Sequence, residues 1–217
     1  MTIIQLTDLH GAVAGIDRIE AEIRSADLLV VSGDITHFGG RLEAAAIIEP
    51  LAALARRLLA VAGNCDTREV EDYLTELGIN LDRRSLPIGD LRIAGLGASL
   101  PGPMATPNTV DEEELSRRLS ESGSEIDGPF LLVSHQPPYG TQVDRAMKMK
   151  HVGSRSVREF IAQRKPLVCM SGHIHESQAV DELDGCRLIN PGPFGSGRFG
   201  RIVVGTDGTI ETSIERV

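Results

Sequence analysis

The chain has 217 residues, a formal net charge of −9, 41% hydrophobic and 24% charged residues. This is the balance of a globular protein, long enough for one domain over residues 1–217 with a sizeable core. The acidic charge excludes the overall footprint of a protein that tracks long nucleic acid, and 3% aromatics with no tryptophan argue against a stacking platform for several bases.

The first apolar run, Ile3–Leu6, has the length and composition of a buried strand and leads into Asp8-Leu9-His10. No basic region, full apolar run or cleavage site precedes it, so no signal peptide is expected and the cytoplasm is the default. Ile16, Ile19 and Ile23 have helical spacing and predict a helix over Ile16–Ala26. The second run, Leu28–Val31, leads into Gly33-Asp34, with His37 just beyond. Arg41–Arg57 reads as a helix that Pro50 should break or kink. The longest apolar stretch, Leu51–Ala62, is interrupted by Arg56 and Arg57 and is too short to span a membrane.

The third run, Leu58–Ala62, leads into Gly63-Asn64-Cys65-Asp66. Thr67 would then cap a helix to Leu77 with an acidic first turn. Leu86–Ile88 and Leu91–Leu96 form an expected hairpin, and the three prolines within Ser99–Asn108 mark a loop. The fourth run, Phe130–Val133, leads into His135-Gln136-Pro137-Pro138. Lys148 and Lys150 read as a solvated basic patch. His151-Val152-Gly153-Ser154 precedes a helix over Ser154–Arg164, whose N-terminus could receive an anion with Arg155 or Arg158 assisting, or simply be capped by Ser154. The fifth run, Leu167–Met170, leads into Gly172-His173-Ile174-His175. The tail segments Ala179–Leu183, Arg187–Ile189, Arg201–Val204 and Ile210–Ile214 suggest hairpins in a second sheet. Cys65, Cys169 and Cys186 are too few and too scattered for a disulfide framework or a Cys-x-x-Cys zinc site, which fits a reducing compartment.

Alternating strands and helices define an α/β domain. Ligands in open α/β sheets gather beyond the carboxyl ends of strands, so Asp8, His10, Asp34, Asn64, His135, His173 and His175 converge on one rim. In extended chain, residues two apart point the same way, which would aim Asp8 with His10, and His173 with His175, at a single ion each. Glycine before Asp34, Asn64 and His173 would permit a sharp turn. The donor set is oxygen and imidazole nitrogen without a committed thiolate, suited to Mn²⁺, Fe, Zn²⁺ or Ni²⁺. Two such ions roughly 3.5–4 Å apart would support hydrolysis of a phosphate ester by a metal-bound hydroxide.

The ordered set Asp8-x-His10, Gly33-Asp34, Gly63-Asn64-Cys65-Asp66, His135 and Gly172-His173-x-His175 resembles the calcineurin-like metallophosphoesterase superfamily, and Asn190-Pro191-Gly192 extends the resemblance. The resemblance implies a four-layer α/β/β/α sandwich of two mixed sheets flanked by helices. It implies two divalent metal ions, Mn first among them, with Asp8, His10 and His175 on one, Asn64, His135 and His173 on the other, and Asp34 bridging. Asp34, Asn64 and His135 would be the catalytic core. Cys65 stands where many members carry a histidine that serves the substrate or leaving group, as in other small prokaryotic members. A thiol with an ordinary pKa of about 8.5 is a weak general acid, which favours esters with good leaving groups or another donor.

Cys65, His37, His151 and Ser154 are the candidate substrate-facing residues, with ordinary loop, capping or core roles as their alternatives. Cys169 and Cys186 read as buried structural residues. The expected substrate is a small phosphomonoester or phosphodiester. A nuclease and a metal-binding scaffold for a protein partner are the alternatives, and self-association stays open.

Overall fold

The apolar runs become strands in the computed structural model, which describes residues 1–147 and 149–217. In chain order the strands are β1 (Thr2–Leu6), β2 (Leu28–Ser32), β3 (Leu58–Val61), β4 (Ser85–Ile88), β5 (Leu91–Leu96), β6 (Phe130–Ser134), β7 (Arg145–Ala146), β8 (Lys150–His151), β9 (Val168–Ser171), β10 (Ala179–Leu183), β11 (Cys186–Asn190), β12 (Arg198–Val204) and β13 (Ile210–Arg216). The helices are α1 (Glu20–Ser25), α2 (Arg41–Leu54), α3 (Arg68–Glu76), α4 (Glu112–Gly123) and α5 (Arg155–Arg164).

Two large mixed sheets result. One has the order β13-β12-β1-β2-β3, the other β10-β11-β9-β6-β5-β4. The first is antiparallel along β13-β12-β1 and parallel along β1-β2-β3; the second is parallel at its centre and antiparallel at both edges, and the parallel strands read as near-continuous Val, Ile and Leu. Three apolar layers separate four structural ones. Ile4, Leu6, Leu29 and Val31 pack on Ile23, Ile48 and Leu74 of α1–α3. Ile3, Val30 and Val61 meet Leu131, Val133 and Met170 between the sheets. Leu132 and Cys169 pack on Leu119, Val157 and Ile161 of α4 and α5. Side-chain alternation along each strand supplies both faces, and this is the expected α/β/β/α sandwich.

Three expectations change, and one helix is added. Pro50 neither ends nor breaks α2, which continues to Leu54; Ala46, whose carbonyl loses its amide partner, lies on the exposed face. Thr67 precedes α3, but its hydroxyl donates to Gly39 O at 2.9 Å instead of capping the helix. The tail does not make its own sheet: β10–β11 joins one large sheet and β12–β13 the other. The added helix is α4, whose sequence signals are the Asp111 N-cap and Leu115 and Leu119 one turn apart. Lys150 is exposed as expected of a basic patch, while Lys148 lies outside the described residues. Cys169 and Cys186 are fully buried.

Candidate metal centre

Strand register brings the ligand loops to one level. Leu6 pairs with Val31, Ser32 with Val61, and Ser134 with Ser171. The chains leaving β1, β2 and β3 therefore exit beside one another, opposite those leaving β6 and β9. Buried Gln5 ties the two sheets, donating from Nε2 to Ser32 Oγ and to Ser171 O, both at 2.8 Å. His173 N donates to the Asp8 carboxylate at 3.1 Å across the same gap. The rim is thus shared by two facing sheets rather than belonging to one.

The candidate ligands converge by bent, not extended, backbone. Asp8, His10, Asp34 and His173 all have positive φ, between 46° and 68°. Such conformations are disfavoured for residues with a Cβ and cluster at functional sites. Extended-chain alternation is therefore not what aims them: Asp8 and His10 do share one group, as expected, whereas His173 and His175 part. His175 instead joins Asp8 and His10, and His173 packs its ring 5.1 Å from that of His135. The glycines have two different purposes. Gly33 has φ +101° and does make a sharp turn, whereas Gly63 has no positive φ and is required because a Cβ would run into Asp34 Oδ1; Gly172 likewise lies against Thr7 and Asp8.

Asp34 lies between two donor groups. Its Oδ2 is 3.7 Å from His10 Nε2, and its Oδ1 is 3.4 Å from His135 Nε2. On the first side, His10 Nε2 and His175 Nε2 face each other at 3.1 Å, with Asp8 Oδ1 3.3 Å from the latter. On the second side, His135 Nδ1 must donate to Ser32 O at 2.9 Å, because a carbonyl only accepts. The Nε2 of neutral His135 then offers a lone pair, and 3.0 Å away is Asn64 Oδ1, another acceptor. The Asn64 amide is oriented by its Nδ2, which donates to Cys65 Sγ at 3.3 Å. Lone pairs aimed at one another in a buried site are what a cation relieves, and the Nδ1–H to carbonyl bond is the usual support of a ligating histidine. The residues present fit divalent metal.

Electrostatics agree. Burial holds the His173 imidazole down at about 4, with His135 adding to the effect, so it stays neutral with a free lone pair. Burial also lowers His10, against the pull of Asp34 and Asp8. Burial raises the Asp8 carboxyl, but the hydrogen bond to His175 and the neighbouring histidines outweigh it and keep it ionised. That same hydrogen bond raises His175. Burial and then Asp34 push the Cys65 thiol up, away from any role as an acid.

Supporting residues were less visible in the sequence. Asp66, fully buried, accepts from Ile35 N, Thr36 N and Gly63 N at 2.8–3.1 Å and so locks the loops after β2 and β3 together. Burial, then Asp34, raises its carboxyl to about 6. Asn190 Nδ2 donates to Ile174 O at 3.0 Å and steadies the His173–His175 loop. Gln5 carried no signal beyond its place in an apolar run.

The candidate substrate residues part company. Cys65 and His37 offer ligand atoms within 4.8 Å of one another and of His10. His151 instead is held by Asp144, Nδ1 to Oδ1 at 2.7 Å, beside Tyr139. Ser154 is not open to an anion. It is fully buried, caps Val157 N, and donates to Glu112, whose carboxylate also takes Arg155 N and Ser156 N. That helix N-terminus is occupied by the chain's own anion. Arg155 stacks over the Tyr139 ring and Arg158 donates to Tyr139 O, so neither is free to assist.

A calcineurin-like phosphoesterase superfamily domain matches residues 1–207, and the chain belongs to that superfamily of phosphoric ester hydrolases, whose members generally bind divalent metals. It is 41% identical over 199 residues to an uncharacterised protein of Methanocaldococcus jannaschii, covering 89% of this chain and 88% of that one. It is 30% identical over 234 residues to the 3′,5′-cyclic adenosine monophosphate phosphodiesterase CpdA of Pseudomonas aeruginosa, covering 96% and 81%. Among solved structures, TT1561 of Thermus thermophilus has the same fold, with a TM-score of 0.76 at 17% identity over 98% of this chain and 97% of that one. Among the described residues, no helix is long and apolar enough to cross a membrane.

Proposed function

We propose that the chain hydrolyses a small-molecule phosphodiester or phosphomonoester at a dinuclear centre. The observation that carries this reading is Asp34, whose two carboxylate oxygens face two separate donor groups. Asp8, His10 and His175 would hold one cation; Asn64, His135 and His173 would hold the other; Asp34 would be shared. Two bound divalent cations would supply Lewis-acid polarisation of the phosphoryl group and activation of a water nucleophile. Manganese is the first candidate, with iron, zinc and nickel sharing the ligand chemistry.

The chain's own residues hold and aim that chemistry. Fully buried His135 closes the inner side, while His10 and His175 have side chains 21% and 44% exposed. The ester would therefore enter over His10 and His175. Cys65 serves as an acceptor that orients the Asn64 amide, not as a proton donor. The leaving group then departs on its own acidity, which favours aryl esters over alkyl ones, or takes its proton from another donor.

The test is a panel of aryl phosphate mono- and diesters assayed with Mn²⁺, together with metal content per chain. Turnover that needs metal and vanishes in His135→Ala is expected. No metal-dependent activity on any ester would sink the reading, and metal-free, inactive protein would favour a scaffold.

A further inference from the structure

Beside the metal ligands, the loop Thr36–Gly40 holds two rings at the surface. Phe38 is 47% exposed, in a chain with only seven Phe and Tyr residues. It is the one aromatic among the exposed large hydrophobic residues described. Its φ of +64° is an outlier for a bulky side chain. The loop is nevertheless firmly held: Phe38 N donates to Cys65 O at 3.0 Å, Thr36 is bound by buried Asp66, and Thr67 Oγ1 donates to Gly39 O. The fold therefore maintains a strained backbone that displays an apolar ring instead of burying it.

The position of that ring relative to the candidate ligands is informative. His175 and His10 have ring centroids 5.0 Å apart, His10 and His37 5.5 Å, and His37 and Phe38 4.5 Å. Four rings are thus in successive contact from the candidate metal ligands to Phe38, each tilted to the next by 61°, 77° and 43° in that order, on the exposed side where the ester would enter. A phosphoryl group seated at the His10–His175 end places the rest of its ester over His37 and Phe38. Aromatic faces bind flat rings by stacking, and the interaction tolerates many ring types.

We propose that His37 and Phe38 form a stacking surface that selects phosphate esters carrying a flat aromatic or heteroaromatic group within about a sugar's length of the phosphorus. The proposal rests on the phosphoesterase reading above and names its substrate class. Phe38 acts as a specificity-determining residue and takes no part in the bond chemistry.

The test compares two ligands that differ only by a ring system. Calorimetry on Mn²⁺-loaded protein measures binding of adenosine 5′-monophosphate and of ribose 5-phosphate. The wild type should bind the ring-bearing ligand about tenfold tighter. Phe38→Ala and Phe38→Gly should bring the ratio close to one while leaving ribose 5-phosphate affinity unchanged. Phe38→Gly relieves the positive φ, so its thermal midpoint should equal or exceed the wild type's, which separates loss of the ring from loss of folding. Phe38→Tyr should keep the preference. In turnover, aryl-group preference should shift in KM with kcat little changed.

A wild-type ratio near one, or a ratio that survives both ring deletions, overturns the stacking surface alone. If neither ligand binds in a metal-dependent way and no ester is turned over, the phosphoesterase reading fails with it.

Discussion

His135 gives its Nδ1 hydrogen to Ser32 O, and its Nε2 faces two acceptors, Asn64 Oδ1 at 3.0 Å and Asp34 Oδ1 at 3.4 Å. A divalent cation held there would draw on all three atoms. His135→Ala should therefore lower metal content from about two ions per chain to about one, as expected of a two-metal site losing one ligand. Activity should fall at least about 100-fold, at the upper end of what loss of a supporting partner alone does. Elemental analysis and initial rates check both, and unchanged metal content would count against His135 as a ligand.

Gly63 presses against Asp34. A Cβ there meets Asp34 Oδ1 and its backbone N, and neither can retreat from the packed loop after β2. Gly63→Ala should destabilise by about 1–3 kcal/mol, as overpacking does. It should also weaken metal binding, because Asp34 would be pushed off its position between the two donor groups. Urea melts with and without Mn²⁺ separate the effects: the variant should gain less from the metal than the wild type does.

Arg118 ties α4 to the sheet, donating to Asp82 at 3.2 Å and to Glu114 at 2.9 Å, and its side chain is 8% exposed. Arg118→Met leaves the buried Asp82 carboxylate with Arg83 as its remaining cation and the Gly97 N–H as its other donor. A loss of about 2–3 kcal/mol is expected in chemical denaturation, below the range for a wholly unpaired buried charge because Arg83 remains.

Glu114 gives a pH dependence of known sign. Hydrogen bonds from Arg117 and then Arg118 hold its carboxyl down at about 2. The unfolded-chain value is about 4.3, so the stabilisation is fully present above that pH and is lost as pH falls toward 2. The pair is part-exposed and screened, which limits the contribution to about 1 kcal/mol. Glu114→Gln should flatten that segment of the stability profile, and an unchanged acid limb would refute the assignment.

Cys169 and Cys186 are buried in the layer under α4 and α5, and burial raises both thiols, Cys169 to about 12. Neither should react with iodoacetamide at pH 8 in the folded protein, since the thiolate is the nucleophile. Mass spectrometry should find both labelled only after denaturation.

The sequence alone determined which residues could serve as ligands and in what order. Each candidate follows an apolar run, and an apolar run of strand length is legible because burial selects Val, Ile and Leu locally. It also carried the layer architecture through the resemblance those residues support. The resemblance also implied how the candidate ligands divide, and the tertiary structure supplied the backbone that brings them together. Left-handed backbone at Asp8, His10 and His173 overrode strand alternation, sending His175 to Asp8 and His173 to His135. The sequence left two readings for the N-terminus of α5, an anion site or plain capping by Ser154; Glu112, distant in the chain, occupies it while Ser154 caps it, which removes Ser154 from the site. The tail strands divided between two sheets because edge pairing is set by which backbone edge is free, not by local composition. The same holds at Phe38. Its ring lies exposed beside the candidate ligands only because buried Asp66 and Cys65 O, from the loop after β3, hold the loop after β2 in place.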